Sequence, residues 1–240
     1  MKPFAHRTDN LSQSEIRAVS QMVEAVDGIN LGQGICDLPT PSVIRSAAHT
    51  AIESNRSTYS SYAGIPSLRT FIDQKLRQFN GIPVASSDEI VVTVGSTGAF
   101  SMAMLALLDP GDEVILFEPF YGYHINLVQA TGGVPITVQQ RGHNWQVDFD
   151  EVATAVTPRT KAIVVTTPAN PHGKAWTRQE LAELLSVAER YDLWIVTDEI
   201  YEYMTYDDHR HVSMASLDGA YKRTITVSGF SKTFNMTGWR

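Results

Sequence analysis

The segment Ser228-Gly229-Phe230-Ser231-Lys232-Thr233-Phe234-Asn235-Met236-Thr237-Gly238-Trp239-Arg240 follows a short β-branched run at residues 224–228, which predicts a strand. Lys232 therefore lies in a glycine- and serine-containing loop at the end of a strand, among small and apolar neighbours. A lysine desolvated near other cations is a good imine nucleophile, whereas a solvated surface lysine is the alternative interpretation. Arg240, eight residues later, is a candidate phosphate ligand through its bidentate guanidinium.

Apolar runs of the same kind recur upstream, separated by segments with helical spacing. Strands are predicted at residues 89–94, 113–117, 134–138, 161–166 and 193–197, and helices at 13–26, 42–53, 67–79, 97–108, 121–131 and 178–191. Short, nearly all-apolar strands that alternate with helices are typical of a parallel sheet buried on both faces. The sequence therefore predicts an α/β fold, with a mostly parallel sheet sandwiched by helices. Ligands of such folds bind beyond the carboxyl ends of the strands.

Composition restricts the function classes. The 240 residues are 43% apolar and 19% charged, as in ordinary globular proteins, and the net charge of −7 argues against non-specific nucleic-acid binding. No apolar run is long enough to span a bilayer, and residues 1–15 lack the apolar segment of a signal peptide. The single cysteine, Cys36, has no partner for an internal disulfide, and we expect it to be a packing residue. A cytoplasmic protein without nucleic-acid or membrane partners is predicted.

Three further strand ends carry suggestive residues. Gly95-Ser96-Thr97-Gly98 opens a predicted helix, whose N-terminus attracts phosphate, although a plain helix cap is the alternative. Asn170 lies in a turn that two prolines and a glycine make irregular, and its amide is a potential donor. In Asp198-Glu199-Ile200-Tyr201, a carboxylate suited to a protonated ring nitrogen precedes a phenol donor. The alternatives are a turn asparagine, a capping aspartate and a tyrosine at the edge of the core.

These motifs resemble those of the class I/II aminotransferases, which have the aspartate aminotransferase fold, fold type I of the pyridoxal phosphate (PLP) enzymes. Residues 231–240 are very close to the family's lysine motif. Asn170-Pro171-His172-Gly173 matches its Asn-Pro-x-Gly turn, and Asp198-Glu199-Ile200-Tyr201 matches its Asp-Glu-x-Tyr element. The resemblance runs from about residue 30 to the end. It implies that residues 46–240 form the PLP-binding large domain, cut short at its C-terminal end, and that residues 1–45 belong to a partial small domain.

The resemblance also implies roles for individual residues. Lys232 would hold PLP as a Schiff base and move a proton, Asp198 would keep the pyridine nitrogen protonated, and Tyr201 and Asn170 would bind the ring oxygen. The remaining roles are phosphate binding by Ser96, Thr97 and Arg240, ring stacking by Tyr121, phosphate contact across a homodimer by Tyr59, substrate binding by Gly34 and Asn170, and support of Asp198 by His124. No metal is implied. The activity would be amino-group transfer from an L-amino acid to a 2-oxo acid, which makes the protein a transferase of nitrogenous groups.

The sequence departs from the family in three places. Gly229 stands where many relatives have a phosphate-binding serine, so Ser228 or Ser231 would supply that contact. Ile35-Cys36-Asp37 alters the lining on the substrate side. The C-terminal portion that carries the family's arginine for the substrate carboxylate is expected to be missing. The donor is left open among aspartate, methionine, aromatic and kynurenine-type amino acids.

Three alternatives remain at this point. A PLP-dependent carbon–sulfur lyase shares the lysine and Asp-Glu-x-Tyr elements but would release pyruvate and ammonia without an oxo-acid acceptor. A non-catalytic PLP-binding sensor would carry a basic DNA-binding module at its N-terminus, for which residues 1–30 are too short. An inactive, PLP-binding fragment of a true enzyme is the third alternative.

Overall fold

The elements that position the candidate residues belong to one layered α/β structure, in which helices pack against a β-sheet. The computed structural model describes residues 2–9, 11, 14–56 and 58–240. Its helices are α1 Glu15–Glu24, α2 Ser42–Glu53, α3 Pro66–Gln78, α4 Gly95–Leu107, α5 Gly122–Ala130, α6 Phe149–Ala155 and α7 Arg178–Arg190. Its strands are β1 Glu113–Glu118, β2 Val134–Gln139, β3 Thr160–Thr166, β4 Trp194–Asp198 and β5 Thr224–Val227. Short 3-10 helices occupy His6–Thr8, Ser87–Glu89, Met214–Ser216, Tyr221–Arg223 and Thr237–Trp239.

The five strands form one sheet in the order β2-β1-β3-β4-β5. All four pairings are parallel, as predicted. Strands covered on both faces must be apolar throughout, and Val114, Ile115 and Leu116 of β1 are at most 1% exposed. The register aligns the ends of the last three strands, because Asp198 pairs with both Thr166 and Val227. The loops that leave β3, β4 and β5 therefore start side by side.

Helices cover both faces of the sheet, which confirms the predicted sandwich. On one face, Leu181 and Leu184 of α7 pack with Ile195 of β4 in one apolar cluster. On the other face, Phe100 of α4 and Val128 of α5 belong to a second apolar cluster. The burial of these clusters supplies the main driving force for folding. It also anchors α4 and α5 above the sheet edge where the loops begin.

Most predicted helices and strands lie within two residues of their observed bounds. Gln13, the predicted start of the first helix, lies outside the described residues.

Helix α6 was not predicted. It is short, and its signal is the N-cap Asp148, whose side chain accepts from the N–H groups of Asp150 and Glu151. In the described part of the chain, no helix has the length and apolar character needed to cross a membrane.

Two sequence predictions are wrong in this part of the molecule. Residues 89–94 form no strand of the sheet; Val92 N–H instead donates to Ala63 O at 3.0 Å. A β-branched run favours an extended backbone but cannot provide the neighbouring strand that a ladder needs, and Val91 and Val94 are 59% and 67% exposed. Cys36 is exposed rather than packed, because the loop at residues 28–41 lies at the surface.

We expect Ile195→Ala to destabilise the fold by about 2–5 kcal/mol, the cost of emptying a fully buried site. Ile195 is 0% exposed and lies in β4, between β3 and β5. The free energy of unfolding from urea titration measures the effect. Val43→Ala, at a residue that is 73% exposed, is the matched control and should stay within about 0.5 kcal/mol. Equal effects of the two substitutions would contradict the assignment of β4 to the core.

Candidate active site

The candidate site lies at the carboxyl edge of the sheet. Thr166, Asp198 and Val227 are neighbours in register there. The loop after Thr166 carries Asn170, the turn after Asp198 carries Tyr201, and the loop after Val227 carries Lys232. These segments are far apart in the sequence but start next to one another, because parallel strands end at the same edge.

Asp198 is a buried carboxylate held by two hydrogen bonds. Its Oδ2 lies 3.1 Å from Nε2 of His124, and its Oδ1 accepts from Ile200 N–H at 3.1 Å. His124 projects from α5 and stacks on Phe100, with ring centroids 4.3 Å apart. Since Nδ1 of His124 has no hydrogen-bond partner among the described residues, we assign the ring proton to Nε2, which then donates to Asp198. The expected support of Asp198 by His124 is present as a direct contact.

Asn170, Tyr201 and Lys232 form a second group beside Asp198. The side-chain amide of Asn170 donates to the Tyr201 hydroxyl at 3.2 Å. The Lys232 ammonium lies 5.7 Å from the centroid of the Tyr201 ring, within range of a cation–π contact. The structure therefore brings together three residues that the motifs had identified separately.

The N-terminus of α4 and the guanidinium of Arg240 form a positively charged corner. Arg240 donates through Nη2 to Val94 O at 3.5 Å and through Nη1 to Thr237 O at 3.1 Å. Among the described residues, no side chain caps α4, and the first N–H groups of a helix have no acceptor within it. Ser96 and Thr97 stand in this first turn. Free N–H groups, the positive end of a helix and a guanidinium together suit an anion.

Gly95 lets Arg240 approach the helix. Its φ of +70° favours glycine, and a Cβ placed there would overlap with Nη2 of Arg240. Any side chain at this position would collide with the guanidinium or push it away. The glycine predicted to open the helix thus also makes room for the arginine.

Tyr121 stands directly before α5 and borders the same group. Its ring centroid is 5.3 Å from those of Tyr123 and His124. Burial raises the pKa of Tyr121 to about 12, and the nearby Tyr123, Tyr201 and Asp198 contribute to the rise. The phenol is therefore neutral at physiological pH. Tyr121 also contacts His124 edge-on, and His124 in turn contacts Asp198, so Tyr121 borders the same group.

Gly34 and Tyr59 are not part of this cluster in the structure. Apart from Gly34 and its two chain neighbours, none of the described residues has an atom within 4 Å of a Cβ placed at Gly34, and Tyr59 is fully exposed. The exposed loop does reach the lysine segment further along, where Thr40 Oγ1 donates to Asn235 O at 2.7 Å. The substrate role of Gly34 and the intersubunit role of Tyr59 stay predictions.

Sequence reasoning missed a group of buried polar residues beneath the site. Glu199 and Glu202 are 0% and 3% exposed, yet neither was assigned a role from the sequence. The signal was two glutamates three residues apart directly after a strand predicted to be buried on both faces. The structure also changes the interpretation of Ser228, a suggested phosphate ligand, because its hydroxyl donates to Glu202 Oε1 at 2.8 Å.

Comparison with known proteins identifies a family and relatives for this chain. The family described as aminotransferase class I and II matches residues 26–240. The aspartate aminotransferase of Pyrococcus abyssi is 39% identical over 239 residues, which cover 99% of this chain and 61% of the relative. The human kynurenine–oxoglutarate transaminase 1 is 36% identical, with 98% of this chain and 59% of the relative covered.

Solved structures give the same result. The N-succinyldiaminopimelate aminotransferase of Mycobacterium tuberculosis superposes with a TM-score of 0.93 at 34% identity, covering 99% of this chain and 62% of that one. The aspartate aminotransferase of Thermus thermophilus with maleate also superposes with a TM-score of 0.93, at 35% identity. The superposition covers 100% of this chain and 63% of that one. This chain thus spans somewhat less than two thirds of these relatives. On the family match, these identities and the shared fold, the chain belongs to the class I and II aminotransferases.

Proposed function

We propose that this protein is an aminotransferase that uses PLP to move an amino group from an L-amino acid to a 2-oxo acid. The observation that carries the proposal is the meeting of three features at one sheet edge: Lys232 beside Tyr201, the buried Asp198, and Arg240 at the start of α4. When bound, PLP supplies an aromatic ring that withdraws electrons from the substrate α-carbon. The protein supplies binding, orientation and proton transfer.

The donors present at the site fit the phosphate of this cofactor. Arg240 offers a bidentate guanidinium, and the first turn of α4 offers N–H groups together with the hydroxyls of Ser96 and Thr97. The space above Gly95 that a Cβ would fill is the space the guanidinium needs. We assign phosphate binding to these residues.

The remaining groups fit the ring. Asp198 would accept a hydrogen bond from the protonated ring nitrogen, and the hydrogen bond from His124 orients the carboxylate for this contact. Tyr201 and Asn170 are already hydrogen-bonded to each other, and both can donate to the ring oxygen. Tyr121 stands edge-on to His124, with ring centroids 5.3 Å apart, and its neutral ring would cover one face of the cofactor.

Lys232 is the residue that would react directly with the cofactor and the substrate. Its amine would hold the cofactor covalently and would be released when the amino group of the substrate takes its place. Once free, it would carry a proton from the substrate α-carbon to the cofactor carbon, and hydrolysis by water would then release the 2-oxo acid and complete one half of the amino transfer.

We expect Gly95→Ala to weaken PLP binding by about tenfold or more, because the new methyl group displaces Arg240 from the phosphate corner. Pyridoxal, which lacks the phosphate, should bind almost equally to both proteins. Gly142→Ala is the matched control, since Gly142 has a similar φ of +73° but no atom within 4 Å of the position that a Cβ would take. Absorbance titration measures both ligands. Equal losses for the two variants, or for the two ligands, would contradict the phosphate assignment.

The function is tested by adding PLP, reducing with borohydride and mapping the modified peptide by mass spectrometry. A modification on Lys232 supports the cofactor role, and its absence in the folded protein contradicts it. Amino acids are then added one at a time, and formation of pyridoxamine phosphate supports transamination. Release of pyruvate and ammonia without an oxo acid would instead identify a carbon–sulfur lyase.

Substrates and assembly are part of the same proposal. The relatives are named for aspartate, aromatic amino acids, kynurenine and N-succinyldiaminopimelate, and we propose a donor within this range. Gly34 and Asn170 would bind the substrate, and Tyr59 would reach the phosphate of a second copy in a homodimer. Residues 46–240 would form the cofactor domain and residues 1–45 part of a smaller one, in a cytoplasmic protein.

A further inference from the structure

A buried carboxylate connects two segments of the candidate site. Glu202 follows Tyr201 in the turn after β4 and is 3% exposed. Its Oε1 accepts from the hydroxyl of Ser228, the residue that follows β5 and opens the Lys232 loop, at 2.8 Å. The turn that carries Tyr201 is thus tied by one hydrogen bond to the loop that carries Lys232.

The second oxygen of Glu202 fastens this pair to α3. Its Oε2 accepts from Lys75 Nζ at 2.5 Å and from the Asn80 amide at 2.8 Å. Lys75 is held in place in turn, with its ammonium 5.5 Å from the centroid of the Phe79 ring. Glu202 therefore has three donors from different parts of the chain, one on Oε1 and two on Oε2, and a buried charge is stable only with such partners.

The network extends to the residue after Asp198. The Asn80 amide also donates to Ser213 Oγ at 2.7 Å, and Ser213 Oγ donates to Glu199 Oε2 at 2.6 Å. His211 Nε2 lies 2.8 Å from the same Glu199 oxygen. Glu199, Glu202 and His211 lie close enough together to resemble a metal site. However, the carboxylate oxygens already have proton donors, including the Lys75 cation, so the donor set is that of a hydrogen-bond network.

We infer that Glu202 is a positioning residue, which sets the separation between Tyr201 and Lys232 by bonding Ser228 while Lys75 and Asn80 hold it against α3. The contacts above carry the structural part of this inference, whereas the expected effect on PLP binding rests on the proposed function. The hydrogen bonds of Glu202 go to Ser228, Lys75 and Asn80 and not to Lys232 or the Tyr201 hydroxyl, so Glu202 acts through its neighbours. Loss of the bond to Ser228 frees the start of the lysine loop from the Tyr201 turn.

The test compares Glu202→Gln, Ser228→Ala and Ser228→Thr with Glu113→Gln. Glu113 is an equally buried carboxylate, 2% exposed and bonded to Arg159 and Thr157, but it lies at the amino edge of the sheet. Amide hydrogen exchange of residues 229–236 is measured without cofactor, and PLP affinity is measured by absorbance. Threonine keeps the hydroxyl of Ser228, so this variant tests rescue.

We expect Glu202→Gln and Ser228→Ala to speed exchange at residues 229–236 by about tenfold, as for loss of a hydrogen bond to a charged group. Both should weaken PLP binding by a similar factor, whereas Ser228→Thr and Glu113→Gln should leave these quantities near those of the unmodified protein. Unchanged exchange in the first two variants, equal acceleration by Glu113→Gln, or no rescue by threonine would overturn the inference. If the unmodified protein does not bind PLP, the proposed function fails, while the exchange measurements still decide the role of Glu202.

Discussion

Replacing Lys232 with alanine is expected to abolish covalent attachment of PLP and to slow amino transfer by at least about 10²–10⁴-fold, the contribution of a positioned general base alone. The variant loses both the amine that forms the covalent bond and the base that moves the α-proton. PLP should still bind, because Arg240, the α4 N-terminus and Asp198 are unchanged. After borohydride treatment, mass spectrometry of the peptide that contains residue 232 measures the attachment directly.

Lys222→Ala is the control for this substitution. Lys222 is an exposed lysine in the 3-10 helix Tyr221–Arg223, just before β5. Its removal should leave both the adduct and its position unchanged. An adduct of undiminished yield in the Lys232 variant, carried by another lysine, would show that a different residue holds the cofactor.

Replacing Asp198 with asparagine should leave the cofactor attached to Lys232 but slow amino transfer by about 10²–10⁴-fold. Asparagine is nearly isosteric and can still accept from His124, but it carries no charge to hold a proton on the ring nitrogen. Breaking a buried ion pair costs about 3–5 kcal/mol, which corresponds to rate factors of this size. The rate of pyridoxamine phosphate formation after addition of an amino acid measures the effect, beside the yield of the Lys232 adduct.

Asp192→Asn is the matched control for this second substitution. The Asp192 side chain is 97% exposed, and the residue has a φ of +52°, which asparagine also adopts readily. Its rate should equal that of the unmodified protein. An Asp198 variant with an unchanged rate would remove Asp198 from the mechanism, and one that also lost the adduct would indicate a general defect of the site.

Local patterns in the sequence were sufficient for the layers of this fold. Apolar runs such as 161–166 and 193–197 correspond to β3 and β4, and helical spacing corresponds to α3, α4 and α7. The reason is that burial on both faces of a parallel sheet leaves a continuous apolar run, which is readable without a partner strand. The motif residues at the strand ends were found for the same reason. Each of these residues alone also fits a structural use, such as a helix cap or a turn, and only their occurrence together at the strand ends pointed to a site.

Contacts between distant segments were decided only by the tertiary structure. Arg240 meets α4, Asn170 meets Tyr201 and Ser228 meets Glu202 because the strand order brings their loops to one edge. Residues 89–94 form no strand of the sheet despite a favourable local pattern, because packing places no neighbouring strand of the described residues beside them. Glu199 and Glu202, which had no role assigned from the sequence, belong to a buried hydrogen-bond network. Propensity and periodicity act over a few neighbouring residues, whereas a hydrogen-bond partner for a buried group is provided by whichever segment packing places beside it.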